Sequence, residues 1–191
     1  DVRQKLESLL CSRILVLDGA MGTMVFAQGL GEAAIRGDRF ADHPKDLKNF
    51  VDLLSVTQPD VIESIHRQYL EAGADILETN TFGASPIGMQ EFGLPPELMR
   101  ELNLAAVACA RRAVDDCNAR TPDRPRFVAG SIGPTTRTTS MSPKVEDPGY
   151  RAVSFDEMAE SYYQQVAALV DGGVDILFPE TTFDTLNLKA C

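Results

Sequence analysis

Three acidic residues stand where this chain is able to do chemistry. Asp18 follows the apolar run Ile14-Leu15-Val16-Leu17, Glu78 follows Ile76-Leu77, and Glu180 comes two residues after Phe178 in Val174-Asp175-Ile176-Leu177-Phe178. Short runs of this composition read as buried strands. Each carboxylate therefore lies at the carboxyl end of a strand, where ligands bind in α/β folds. Their neighbours are small, hydroxylated or amidic: Gly19-Ala20-Met21-Gly22-Thr23, Thr79-Asn80-Thr81 and Thr181-Thr182. Any one of the three acids can be a helix cap, and Asp-Gly favours a plain turn. Three on one face suit a zwitterion, with carboxylates for an ammonium group and exposed loop amides for a carboxylate. That points to an amino-acid substrate. No nucleophile–base pair is legible, and no phosphate-binding glycine loop follows the first strand. No catalytic residue is assigned within the chain.

The elements that must position these groups alternate along the sequence. A polar arm over residues 1–12 carries Leu6, Leu9 and Leu10 on one side and leads into the first strand. Residues 29–55 read as a long irregular functional or covering loop. Its Arg36-Gly37-Asp38-Arg39 is equally readable as solvated surface. Thr57-Gln58-Pro59-Asp60 reads as a helix start with Thr57 as cap. Val61 or Ile62, with Ile65, Tyr69 and Leu70, forms its apolar stripe, His66 lies one position off that stripe in a structural or half-exposed role rather than as a ligand, and Gly73 ends the helix. Pro95-Pro96-Glu97 opens a long helix that buries Leu98, Leu102, Ala105, Cys109 and Ala113. The third strand, residues 127–132, runs into a hydroxyl-rich loop at 133–140, whose hydroxyls serve the loop backbone by default. Ser154-Phe155-Asp156-Glu157 is a capping box, Gly172-Gly173 stops the helix it starts, and Asp184 begins a last helix.

Two stretches repeat each other: Leu70-Glu71-Ala72-Gly73-Ala74-Asp75-Ile76-Leu77 and Val170-Asp171-Gly172-Gly173-Val174-Asp175-Ile176-Leu177. Each is a helix end, a glycine stop and a strand, and each strand leaves through Glu-Thr with Phe shortly after. This is the βα repeat of parallel sheets. About four strands in 191 residues predict an α/β fold that is the first half of a (βα)8 TIM barrel. A half-barrel exposes sheet edges and an apolar face, so pairing with another chain, or disorder, is expected.

The net charge of −10 argues against nucleic acid or an anionic membrane as partner. No apolar run is long enough to span a bilayer, and the first ten residues do not read as a secretory signal; the cytoplasm is the expected compartment. Cys11, Cys109, Cys117 and Cys191 form no Cys-x-x-Cys pair. Cys109 and Cys117 fall about 12 Å apart along one helix axis, too far to share a metal. The thiols read as free, and the chain supplies no complete zinc site.

With these residues in view, the sequence resembles the homocysteine-binding domain of the cobalamin-dependent methionine synthase family. The resemblance rests on residues 13–24, on Arg36-Gly37-Asp38-Arg39-Phe40-Ala41-Asp42-His43-Pro44, on residues 52–62 and 72–82, on Gly133-Pro134-Thr135, and on Glu180-Thr181-Thr182-Phe183-Asp184-Thr185-Leu186-Asn187. It implies a TIM barrel in which zinc, held by three cysteines beyond residue 191, ionises the thiol of homocysteine. The thiolate takes its methyl group from methylcobalamin, recharged from methyltetrahydrofolate on other domains of the same polypeptide. It further implies that Asp18 and Glu180 hold the substrate ammonium and that the amides near Gly19 and Ala20 receive its carboxylate. Thr79 and Asn80 would line the pocket, with Glu78 beside them. The chain departs from the family pattern at Asn49-Phe50-Val51, Thr136 and Pro179. The 191 residues alone are expected to be inactive. Two other readings stay open: a stand-alone homocysteine S-methyltransferase using betaine or another donor, and a non-catalytic half-barrel binding module.

Overall fold

Strands β1 (Ile76–Glu78), β2 (Phe127–Ile132) and β3 (Ile176–Pro179) lie side by side in chain order, with both pairs parallel, in a computed structural model that describes residues 1–191. The helices are α1 (Val2–Ser12), α2 (Met21–Ala27), α3 (Glu32–Arg36), α4 (Leu54–Thr57), α5 (Pro59–Ala72), α6 (Pro86–Gln90), α7 (Leu98–Arg120), α8 (Phe155–Gly172) and α9 (Thr185–Ala190). The long ones, α5, α7 and α8, each precede a strand, so helix and strand alternate as the repeat requires. No helix is long and apolar enough to cross a membrane.

Alternation along the strands divides their side chains between two faces. Leu77 and Val128 point to the helices and pack with Leu70, Ala110, Ala113 and Val114. Ile132 joins Val107, Met158 and Leu169. The opposite face carries Glu78 and Ser131. At Gly130 a Cβ would come within 3.0 Å of Leu169, so α8 lies directly on the sheet backbone there. The largest apolar cluster lies away from the sheet, where Leu47, Phe50, Leu53 and Leu54 meet Ile62 and Ile65 of α5 and Leu98 and Leu102 of α7.

Three expectations are corrected. Residues 14–17 are not a buried fourth strand: they make one bridge, Leu17 to Ile76, and Ile14 and Val16 are 86% and 52% exposed. Backbone bonds run only to the 75–76 side, and no strand lies on the other. Residues 29–55 are irregular only in part: α3, two 3-10 turns (Asp38–Phe40 and Val51–Leu53) and the start of α4 interrupt them, while residues 41–50 hold neither helix nor strand. Arg36 organises that segment by donating to the carbonyls of Phe40, Ala41, His43 and Lys45 while paired with Glu32. Nor is Thr57 the cap of α5. Its hydroxyl donates to Ile35 and Leu53 carbonyls, and Pro59 opens the helix after Gln58.

The capping box at Ser154 and Glu157 forms as read, and Asp184 caps α9. Leu98, Leu102, Cys109 and Ala113 are buried, while Ala105 is half-buried. The arm, α1, buries none of its residues. His66 is fully buried with neither ring nitrogen hydrogen-bonded, and burial pushes its pKa down to about 4.

The repeat has a geometric counterpart. Gly73 and Gly173 end their helices in the left-handed region, at φ 108° and 90°. Two residues later Asp75 and Asp175 each exchange two bonds with the preceding strand segment. Asp75 donates its N–H to Val16 O at 2.7 Å and takes Val16 N–H on its carboxylate at 3.0 Å. Asp175 does the same with Val128, at 2.8 and 2.8 Å. Asp75 is fully buried; burial alone would raise its pKa, but Arg13, the Val16 amide and Arg124 hold it down at about 2. Arg111 pairs with Asp175. Gly173→Ala should destabilise the chain by about 1 kcal/mol, since a Cβ is disfavoured in this conformation. Urea unfolding measures this directly.

Candidate functional site

The carboxyl ends of β1 and β3 and the turn after residue 17 enclose a cavity of about 440 Å³. Asp18, Gly19, Ala20, Glu78, Thr79, Asn80 and Glu180 all line it. Met21, Gly22, Asn49, Val51, Asp52, Phe82 and Ser131 complete the wall. Four of the fourteen lining residues are acidic and none is Lys, Arg or His, so every charged side chain of the wall is a carboxylate.

Each acid is fixed differently. Asp18 takes the Glu78 N–H on both carboxylate oxygens, at 3.1 Å each. Burial pushes its pKa up to about 7, against the pull of that amide and with Glu180 adding repulsion. Glu78 is driven well above the ordinary carboxyl range by burial first, then by Glu180 and Asp18. Glu180 accepts the hydroxyl proton of Ser131 on Oε1. Asp52 is buried and takes the Gly83 N–H at 2.8 Å, and burial pushes its pKa up to about 6. Crowded beside Glu180 with no cation between them, Asp18 and Glu78 hold their protons to higher pH than free carboxyls do.

The Asp18-Gly19-Ala20 turn rests on α5. Tyr69 from the apolar stripe donates its hydroxyl to Ala20 O at 3.2 Å. A Cβ at Gly19 would meet the Tyr69 ring at 3.1 Å, so the approach of helix and turn favours glycine there. No backbone carbonyl accepts from the Gly19 or Ala20 amides. They are exposed and free to meet an anionic group.

Thr79 and Asn80 support the wall more than they offer polar groups to it. The Asn80 side-chain amide donates to Val51 O at 2.9 Å and Ser55 Oγ at 3.2 Å. Together with the Asp52–Gly83 bond, this ties residues 51–55 to the loop after β1. Thr79 Oγ1 bonds Thr81 Oγ1 at 2.7 Å and accepts Ser131 N–H at 3.1 Å. The hydroxyl-rich loop 133–140 lies outside the cavity wall. The hydroxyls of Thr135 and Thr138 donate to the carbonyls of Arg137 and Met141, the default role read for such a loop, while Asp184 and Asn187 bond the Thr139 and Ser140 backbone. Ser131 and Asp52 escape a search of strand ends. Ser131 lies inside its strand, and Asp52 belongs to a segment brought in by helix packing.

The fold and site define an α/β protein that gathers carboxylates around a ligand cavity at the ends of parallel strands. The chain belongs to the homocysteine S-methyltransferase family, whose pattern matches residues 15–191. It is similar to the homocysteine methyltransferase MmuM from Escherichia coli. To the metallated form it is 28% identical with a TM-score of 0.74, covering 97% of this chain and 60% of that one. To the oxidized form it is 28% identical with a TM-score of 0.73, covering 97% and 59%. The chain thus spans about 60% of the length of the solved structure it matches.

Proposed function

We propose that this chain forms the homocysteine-binding face of a methyltransferase barrel of which its strands are the amino-terminal half. The observation that carries the reading is the cavity with four carboxylates and no cationic side chain. An α-ammonium group satisfies it, and the free amides at Gly19 and Ala20 suit the α-carboxylate of the same molecule. Asp18 and Glu180 are the ammonium partners, and Glu78 reinforces them.

The finer assignment is to the cobalamin-dependent methionine synthase type. Segments 36–44 and 53–60 of the sequence support it. A stand-alone enzyme with a different methyl donor shares the same substrate face. On the first reading methylcobalamin and methyltetrahydrofolate belong to other domains of the polypeptide. Zinc would activate the thiol, but the residues present do not fit it: no three His, Cys, Asp or Glu side chains are arranged to hold a metal ion, the cavity carboxylates included. Cys11 and Cys191 are exposed, and Cys109 and Cys117 are buried in α7. We therefore assign this chain no step in thiol activation. Its part is to hold the amino-acid end of the substrate.

Titration calorimetry with L-homocysteine tests the reading. The expected result is saturable binding that 4-mercaptobutyrate, which lacks the amino group, does not reproduce. Equal affinity for the two would overturn it. A second outcome follows from the protons the cavity retains. Near pH 7.5 an arriving ammonium favours ionised Asp18 and Glu78, so binding should release protons. The measured heat should then vary with the ionisation heat of the buffer, in the sense of release.

A further inference from the structure

We propose that Ser131 and Thr181 are positioning residues that clamp the carboxylate of Glu180 from both sides and fix its plane toward the cavity. The proposal rests on the reading that Glu180 meets the substrate ammonium. Neither residue emerges from the sequence as a site residue: Ser131 lies within β2, and Thr181 lies in the turn after β3.

The hydroxyl of Ser131 donates to Oε1 of Glu180, and the hydroxyl of Thr181 lies 3.3 Å from Oε2. Each carboxylate oxygen is thus held by one hydroxyl and keeps acceptor capacity for a ligand. Ser131 is itself locked from behind, and counting protons fixes the direction of every bond there. Thr81 Oγ1 donates to Ser131 O at 2.7 Å, which uses its only proton. The 2.7 Å bond between Thr79 and Thr81 must therefore be donated by Thr79. Thr79 in turn accepts the Ser131 N–H at 3.1 Å. Both backbone groups of Ser131 are held by this ring, and Gln165 secures it by donating to Thr81 O at 2.8 Å. Only the Ser131 hydroxyl is left to point at Glu180.

Thr181 completes the clamp with unfavourable backbone. It is the only non-glycine residue with positive φ, at 52°. A β-branched residue in this region is strained, and such strain persists where surrounding contacts hold it. The Glu180 N–H still bonds Ile132 O at 3.1 Å, so the sheet ladder holds the chain up to the residue where it turns. The left-handed turn at Thr181 brings its hydroxyl back over the carboxylate of the residue before it.

The test is a double-mutant cycle in homocysteine binding, joined to a measurement that needs no ligand. Ser131→Ala should weaken binding about tenfold, the worth of one hydrogen bond to a charged group. Because Ser131 acts through Glu180, the Ser131→Ala/Glu180→Gln double variant should bind no more weakly than Glu180→Gln alone. Without ligand, carbon-13 NMR should show the Glu78 carboxyl titrating at lower pH in Ser131→Ala, as the released Glu180 carboxylate turns away. Losses that multiply in the double variant, wild-type affinity in Ser131→Ala, or an unmoved Glu78 midpoint would each overturn the proposal. Should the wild-type chain fail to bind homocysteine, the functional reading falls, and the Glu78 titration alone decides the positioning role.

Discussion

Glu180→Gln should weaken homocysteine binding about 30-fold, roughly the worth of one charge-assisted hydrogen bond. The substitution keeps shape and an acceptor oxygen for the Ser131 hydroxyl, so it removes charge without disturbing the wall. Melting temperature at pH 8 should stay level or rise, because one of several crowded carboxylates is gone. Weaker binding with undiminished stability separates a ligand contact from a structural one. Calorimetry and thermal melts on the same two proteins decide it. A variant that binds normally, or that loses binding only because it melts early, would show that the ammonium sits elsewhere.

The second large effect is on stability against pH in the absence of ligand. Native Asp18 titrates at about 7 and Glu78 higher still, whereas both groups lose their protons near pH 4 when unfolded. The native state therefore binds more protons than the unfolded state above pH 4, and stability falls as pH rises through the native values. His66 works in the opposite sense, with a native value of about 4 against about 6.5 unfolded, but only below pH 6.5. Asp75, held at about 2, is ionised in both states throughout. The clean window is thus pH 6.5 to about 9, where the urea midpoint should drop steadily. Glu78→Gln should flatten the drop and add about 2 kcal/mol at pH 8.5, or roughly 4–8 °C in melting temperature. A steeper slope in the variant would contradict the cluster as described.

How much of this was legible depends on whether the cause was local. Asp18, Glu78 and Glu180 could be read because each follows an apolar run. The internal repeat then set two of them in equivalent places. The glycine stops and the Ser154 capping box were legible for the same reason: their chemistry is complete within a few residues. Ser131, Asp52 and Thr181 were not. Ser131 and Asp52 act through Thr79, Glu180 and Gly83, which only the fold brings near, and Thr181 reaches its chain neighbour Glu180 through a left-handed turn that its residue type does not announce. Residues 14–17 misled in the other direction. Their composition asks for burial, but burial needs neighbours on both sides, and only β1 supplies one. Residues 29–55 looked shapeless because Arg36 organises them through backbone carbonyls, which leave no mark in a sequence.

The paired aspartates at the start of the strands carry a consequence for how such a protein can change. Asp75 and Asp175 tie each strand to the one before it at the end remote from the cavity. Alignment of the strands is thereby decided far from the residues that touch a ligand. A lineage can exchange the groups at the mouth, and so acquire a taste for a different amine or a different thiol, without loosening the stitching that keeps the strands level. The same division makes the two ends unequal as places for mutation: changes at Asp75 or Asp175 threaten the whole sheet, while changes at the rim act on ligand choice and local charge and leave the strand alignment in place.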